Sequence, residues 1–149
     1  MSSNNTAYNT NLASEFHVLS ILHRLGFTAY LTLGNKKSVD IAVVRDAGDS
    51  LTIDVTGVAK KTDWLLSKPS RRPRAGHFTV LVGYNGSIDD IGTLPDVWVL
   101  PDREYLDLIK TAKTGKTWYI SRKVVVEQRA QFESAWHLLN EAPPPREIS

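Results

Sequence analysis

The chain contains no cysteine, which excludes a disulfide bond, a thiolate nucleophile and a cysteine-ligated zinc. Its four histidines show no tight pairing along the sequence, so a histidine-rich metal site is not expected. No apolar run approaches the roughly 18 residues that span a bilayer. The start, MSSNNTAYNT, has neither the basic nor the apolar segment of a signal peptide. These absences predict a soluble, cytoplasmic protein without a membrane partner.

A strong net charge is also absent. The formal net charge is +2, and charged residues make up 23% of the chain, so composition alone does not indicate a nucleic-acid partner. The 149 residues, of which 42% are apolar, suit one domain with one sizeable core. We expect this domain to cover residues 10–141. Residues 1–9 and 142–149, the latter with three consecutive prolines, are expected to be flexible tails.

The first half of the chain shows a helix pattern followed by three strand patterns. The helix is predicted from Thr10 to Leu25 and stops at Gly26. The strand patterns are FTAYLTL, SVDIAVVRD and LTIDVTGV, and a turn signal around Gly48 predicts a hairpin between the last two. A polar, basic connector (residues 59–76) follows, in which Trp64-Leu65-Leu66 suggests a short packed turn or helix.

The second half adds strand patterns in HFTVLVGY, PDVWVL and WYIS. A helix capped by Asp102 and ending near Lys113 is predicted between the last two strands. A final helix is predicted from about Val125 to Asn140. This order predicts an α/β fold, with a central mixed sheet of about four to five strands flanked by helices.

A carboxylate interrupts the apolar face of the first predicted helix. On a helical wheel the apolar arc includes Phe16, and Ser14 lies on the opposite, polar side. Glu15 falls near the middle of the apolar arc, where an uncompensated charge is rarely buried. The alternative is an acid near the helix start that the macrodipole favours and that reaches water.

Two further carboxylates occupy the predicted hairpin. Asp40 opens the apolar run VDIAVV. Asp54 lies in the middle of the predicted strand LTIDVTGV, and aspartate is uncommon inside strands. Alternatively, Asp40 caps a turn and Asp54 faces solvent. Pairing of the two strands would bring these acids together, and neighbouring carboxylates repel unless a cation or a proton intervenes. Oxygen ligands of this kind suit Mg²⁺ or Mn²⁺.

This combination of acids resembles the PD-(D/E)XK nuclease superfamily, especially its compact restriction-endonuclease-like and Holliday-junction-resolvase-like members. In that family a helix glutamate precedes an aspartate at a strand start, and the next strand carries an acid, a spacer and a lysine. Glu15 and Asp40 match the first two positions, with Val39 at the place of the name-giving proline. Asp54-Val55-Thr56 matches the tripeptide, with Thr56 at the lysine place. The resemblance covers residues 10–56 and implies a three-layer restriction-endonuclease-like fold.

The resemblance implies a Mg²⁺- or Mn²⁺-dependent endonuclease in which the three acids are catalytic. These acids and the Val55 carbonyl would bind the metal. The family lysine orients the attacking water and offsets charge on the phosphate, which a threonine hydroxyl cannot do. Lys60 and Lys61 are the candidates for a relocated lysine, and Lys36 and Lys37 are weaker ones. The alternative is that these are ordinary surface lysines.

Basic residues cluster in the connector that follows the predicted active strand. Residues 60–74 contain six basic residues and one acid, and the two prolines of KPSRRPR predict a loop. Such a loop suits contact with a phosphate backbone, although a solvated loop that maintains solubility is the alternative. The expected nucleic-acid-binding residues are Lys60, Lys61, Lys68, Arg71, Arg72 and Arg74.

These features favour a metal-dependent nuclease acting on DNA. Two alternatives stay open: a catalytically impaired nucleic-acid-binding module on the same fold, and a regulatory domain that binds proteins. Small nucleases of the resembled type often dimerise to reach both strands, so a homodimer is a further expectation.

Overall fold

The computed structural model describes residues 3–32, 39–67 and 71–145. Eight strands form two sheets within these ranges. The strands are β1 (Thr28–Leu31), β2 (Ile41–Val44), β3 (Ser50–Val58), β4 (Trp64–Leu66), β5 (His77–Gly83), β6 (Asp96–Pro101), β7 (Lys110–Thr111) and β8 (Trp118–Ile120). The central sheet has the order β1-β2-β3-β5-β6, and a small sheet has the order β4-β8-β7. The central sheet is mixed, because β3 and β5 pair in parallel whereas its other neighbours are antiparallel.

Helices lie against this central sheet. They are α1 (Ser3–Arg24), α2 (Asp102–Leu108), α3 (Arg122–Gln128) and α4 (Leu138–Glu141), with one 3-10 turn at Ala130–Phe132. The predicted α/β class, with a central mixed sheet of about four to five strands flanked by helices, is therefore confirmed, and the sheet has five strands. None of the helices in the described ranges combines the length and apolar character that crossing a bilayer requires.

The central sheet separates two apolar clusters. Its middle strand, β5, is buried at every position because β3 and β6 flank it and both of its faces are covered. On one face, Val18 and Leu22 of α1 pack with strand residues such as Ile53 and Val80. On the other face, Trp64 of β4 packs with Leu81 and Trp98. The indole rings of the two tryptophans meet edge to face, and their centroids are 5.7 Å apart. The small sheet therefore covers the face opposite to α1.

A contact between two small residues sets how closely α1 approaches β3. A Cβ added at Gly57 would lie 2.9 Å from Ser14 Cβ and closer still to Ser14 Oγ. Ser14 is fully buried, and its hydroxyl donates to the Thr10 carbonyl at 2.6 Å. The wheel assigned Ser14 to the polar side and Phe16 to the apolar side, but Phe16 is 51% exposed. That assignment is wrong because side-chain size, rather than hydropathy, selects the buried face at this crossing.

Two sequence-based boundaries in the first half of the chain need correction. Helix α1 begins at Ser3 rather than at Thr10, so residues 3–9 are helical. That segment contains neither proline nor glycine, and nothing in it stops a helix. Residues 64–66 form strand β4 rather than a turn or helix, because they pair with β8 across the small sheet. At the other end, Ala142 packs against the main core, whereas residues 146–149 lie outside the described residues.

The later helices are shorter than predicted. Helix α2 ends at Leu108, because Lys110–Thr111 pair with β8. Its N-cap is Pro101, and the Asp102 side chain accepts hydrogen bonds from Arg71 and from the Arg74 backbone instead of capping the helix. The single helix predicted from Val125 to Asn140 is also wrong. It is interrupted at Ser134, which has φ +49°, and at Glu133, which forms a bridge with Trp98 of β6.

Candidate functional site

A cleft of ≈ 1160 Å³ lies beside the second half of β3. Strand β2 starts at Ile41, which pairs with Ile53, so Asp54 and the residues after it lie beyond the last β2 partner. Residues of α1, β4 and α2 complete the lining. The cleft therefore forms where three separate layers meet at the end of the hairpin. Glu15, Asp40 and Asp54 all line it.

Asp40 is fixed against the backbone of β3. Its backbone N–H donates to the Ile53 carbonyl at 3.1 Å, which extends the hairpin ladder by one bond. Its side-chain Oδ2 accepts a hydrogen bond from the Val55 N–H at 2.8 Å. The Asp40 carboxylate therefore accepts the Val55 N–H in place of a backbone carbonyl, because β2 begins only at the next residue.

Glu15 reaches the cleft from α1. It follows Ser14, whose contact with Gly57 brings this turn of the helix against β3. Glu15 is 8% exposed, which confirms that this carboxylate lies on the buried side of the helix. A carboxylate at this depth requires compensation by a hydrogen bond or by a cation.

Asp54 has two polar neighbours, one at the start of β5 and one in the loop that precedes β5. Its Oδ2 lies 3.1 Å from His77 Nε2 and 3.7 Å from Arg74 Nη2. His77 is 2% exposed, and its Nδ1 lies 2.7 Å from Thr52 Oγ1. A proton on Nε2 would donate to the Asp54 carboxylate and leave Nδ1 to accept the Thr52 hydroxyl, whereas Arg74 Nη2, which lies 3.0 Å from Nε2, can only donate to it. His77 thereby connects β5 to the acid of β3.

Arg71 and Asp102 form a second charged pair at the cleft wall. Both terminal nitrogens of Arg71 donate to the Asp102 carboxylate, with Nη2 to Oδ1 at 2.7 Å, and the Arg74 N–H adds a bond of 2.8 Å to Oδ2. Burial alone would raise the pKa of Asp102, but these bonds and the Arg71 charge outweigh it and lower the pKa. Nearby, burial together with the charges of Asp54 and Asp102 raises the pKa of Tyr105 to about 12. The Tyr105 hydroxyl therefore stays protonated at neutral pH and can donate a hydrogen bond.

The remaining basic candidates are distributed unevenly. Lys60 lines the cleft, whereas Lys61 is exposed and is not among the lining residues that the structure describes. Arg72 is exposed on the same loop as Arg71. Lys68, and the weaker candidates Lys36 and Lys37, lie outside the described residues.

The acids share a cleft without forming a compact ligand cluster. In residues 3–32, 39–67 and 71–145, no group of three or more His, Asp or Glu side chains is arranged to hold a metal ion. The lining acids do provide oxygen donors, which Mg²⁺ and Mn²⁺ prefer. Mg²⁺ also needs only one or two protein carboxylates when water and substrate phosphate complete its shell. The donor chemistry of Asp40 and Asp54 therefore fits such an ion.

Sequence reasoning missed the roles of His77, Asp102 and Tyr105. His77 opens a strand pattern 23 residues after Asp54, and only the parallel pairing of β3 with β5 brings the two together. A polar residue at the start of a buried strand was the available signal. The position of Asp102 was misleading, because an aspartate at the start of a helix is usually an N-cap.

The fold defines a mixed α/β protein with an acidic cleft at the end of a hairpin. No protein-family model matches the sequence, and no curated protein matches it. Among solved structures, the chain is similar to a bacterial homing endonuclease, I-Ssp6803I, with a TM-score of 0.53 and 17% sequence identity. The match covers 89% of this chain and 91% of that chain. A likeness at this identity shows a shared fold.

Proposed function

We propose that this protein is a metal-dependent nuclease that hydrolyses DNA phosphodiester bonds. The observation that carries the proposal is that Glu15, Asp40 and Asp54, which come from a helix, a strand start and a strand interior, line one cleft. Acidic groups gathered in a cleft are typical of metal and catalytic sites. The fold shared with a bacterial homing endonuclease supports the same conclusion.

The metal ligands in this proposal are Asp40, Asp54 and the Val55 carbonyl, with Glu15 as a further acid. Val55 lines the cleft and directs its N–H to Asp40. The N–H and C=O of one strand residue point to the same side, so the Val55 carbonyl faces this side as well. A bound Mg²⁺ or Mn²⁺ supplies charge neutralisation at the attacked phosphate and a more acidic water.

The chain's own residues bind and orient the substrate. Lys60, which lines the cleft, is assigned to orienting the attacking water, as the family lysine would. Tyr105 stays protonated at neutral pH and donates a hydrogen bond to the DNA backbone. The salt-dependent contacts to the DNA backbone are assigned to the remaining basic residues of the predicted connector, Lys61, Lys68, Arg72 and Arg74.

A cleavage assay with Mg²⁺ or Mn²⁺ on duplex, single-stranded and branched DNA tests the proposal. Asp54→Asn should lower the cleavage rate about 100-fold, because it removes the negative charge of a proposed metal ligand. Asp89→Asn is the matched control, since Asp89 is exposed and outside the cleft lining. Equal activity in the wild type and Asp54→Asn would reject the nuclease assignment.

The two neighbouring lysines offer a second matched pair. Lys60→Ala should lower the single-turnover rate about tenfold or more, because Lys60 lines the cleft. Lys61→Ala should change DNA affinity modestly and leave that rate within about twofold. A larger rate loss in Lys61→Ala than in Lys60→Ala would reassign the relocated lysine.

The second candidate function is a DNA-binding module with impaired catalysis. Thr56, which lines the cleft at the family lysine place, favours it because a hydroxyl carries no positive charge. Thr56→Lys separates the two candidates. An impaired module should gain cleavage from this change, whereas an enzyme with a relocated cation should gain little. In both cases salt-sensitive DNA binding is expected to survive Asp54→Asn.

A further inference from the structure

The cleft contains two cationic side chains among the residues that the structure describes, Lys60 and Arg71. Lys60 is exposed on the bend that follows β3. Arg71 is held differently, because two of its nitrogens donate to one carboxylate. A bidentate pair fixes both the position and the plane of the guanidinium group. Arg71 is therefore the better oriented of the two cleft cations.

The carboxylate that holds Arg71 is buried behind it. The Asp102 side chain is 2% exposed, whereas the Arg71 side chain is 30% exposed. Both Asp102 oxygens are occupied, one of them also by the Arg74 N–H at 2.8 Å. A guanidinium group has five N–H donors; this pair uses two of them, and Nη1 also donates to the Arg72 carbonyl at 3.4 Å. Arg71 therefore contributes positively charged N–H groups to the cleft lining, whereas the carboxylate of Asp102 is buried.

Arg71 shares the cleft lining with Asp54, the proposed metal-binding acid. The loop that carries Arg71 reaches Asp54 three residues later, where Arg74 Nη2 lies 3.7 Å from Asp54 Oδ2. A phosphate that approaches Asp54 would enter the field of this guanidinium group.

From this arrangement we infer that Arg71, oriented by Asp102, is the cation that contacts the attacked phosphate and offsets its charge. The inference rests on the proposed nuclease function, and it assigns to Arg71 the electrostatic role that Thr56 cannot fill. Lys60 is then left with the orientation of water. Asp102 is a positioning residue, because it acts through Arg71 and does not touch the substrate.

Four variants test this assignment, with single-turnover cleavage in Mg²⁺ and DNA-duplex binding in EDTA at several salt concentrations. Arg71→Ala should lower the cleavage rate about 100-fold, and Arg71→Lys should recover only part of it. Arg24→Ala is the matched control and should leave the rate within about twofold, because Arg24 is exposed at the end of α1 and is not among the described residues of the cleft lining. Circular dichroism and thermal unfolding identify any variant that fails to fold.

Asp102→Asn provides the readout that a purely structural or bulk-charge role would not give. Loss of a negative charge near bound DNA should by itself tighten binding. Our assignment predicts the opposite, a weaker affinity by about fivefold and a slower cleavage rate, because Arg71 loses its orientation. Unchanged or tighter DNA binding in folded Asp102→Asn overturns the inference.

The two proposals fail in different ways. If the wild type does not cleave DNA under any metal condition, the nuclease assignment is rejected. In that case weaker binding by Asp102→Asn and Arg71→Ala still supports the phosphate contact. If the wild type cleaves and Arg71→Ala cleaves equally fast, the nuclease stands and the assignment of Arg71 is wrong.

Discussion

His77 Nε2 lies 3.1 Å from Asp54 Oδ2, so a buried histidine of β5 holds the acid that lies in the middle of β3. The ring is kept in place from its other side by Thr52, which lies on the same face of β3. The contacts of Asp54 with His77 and with Arg74 both involve Oδ2. His77 therefore fixes the carboxylate that the proposal assigns to the metal.

His77→Leu should weaken Mn²⁺ binding and lower kcat by about 10- to 100-fold, because partners behind a metal ligand typically contribute this much. His77→Gln keeps an N–H donor near the place of Nε2 and should retain most of the affinity. Titration with Mn²⁺ followed by paramagnetic resonance, alongside kcat and KM, checks both variants. If folded His77→Leu binds Mn²⁺ as tightly as the wild type, His77 does not position Asp54.

Gly57→Ala should lower the free energy of unfolding by about 2 kcal/mol, since the new methyl group collides with Ser14. Urea denaturation of Gly57→Ala, Ser14→Gly and the double variant forms a cycle with an expected coupling of about 1 kcal/mol or more. Gly92→Ala is the control, because a Cβ there would lie 3.7 Å from Asp90 Oδ1, which is an ordinary van der Waals contact. Additive effects in the cycle would contradict a close approach of α1 to β3.

Asp102→Asn should lower the free energy of unfolding by about 2 kcal/mol near neutral pH, since it breaks a pair in which one partner is buried and the other is partly exposed. The pKa of Asp102 is lowered in the folded state from its ordinary value of 3.8, so the stabilisation is present above that value. It is lost as the pH falls below 3.8 through the folded pKa.

Urea denaturation at several pH values measures this dependence. The difference between the wild type and Asp102→Asn should shrink as the solution becomes more acidic than the ordinary value of 3.8. Asp89→Asn should show a small difference without this trend, because Asp89 is exposed. A difference that grows on acidification would mean that Asp102 is not ionised in the folded protein.

The sequence predicted the parts of the fold that depend on local pattern. The alternation in LTIDVTGV and the turn at Gly48 gave the hairpin, because one buried face fixes a period of two. Glu15 could be singled out because it interrupts an apolar arc. These signals lie within one helix or one hairpin.

The remaining features depend on pairing between distant segments. Arg71 meets Asp102 across 31 residues and His77 meets Asp54 across 23, and no local pattern encodes either contact. Ser14 and Gly57 form a close contact, but small residues carry no hydropathy signal. The last predicted helix failed because Glu133 bridges to β6, which is a tertiary contact that overrides helical periodicity.

The most direct test of the shared cleft is a crystal structure with Mn²⁺, recorded at the manganese absorption edge. The account predicts an anomalous peak in the cleft within coordination distance of Asp40 and Asp54, and loss of that peak in Asp54→Asn. A peak away from these acids, or an unchanged peak in Asp54→Asn, would contradict a metal-dependent nuclease site built on Glu15, Asp40 and Asp54.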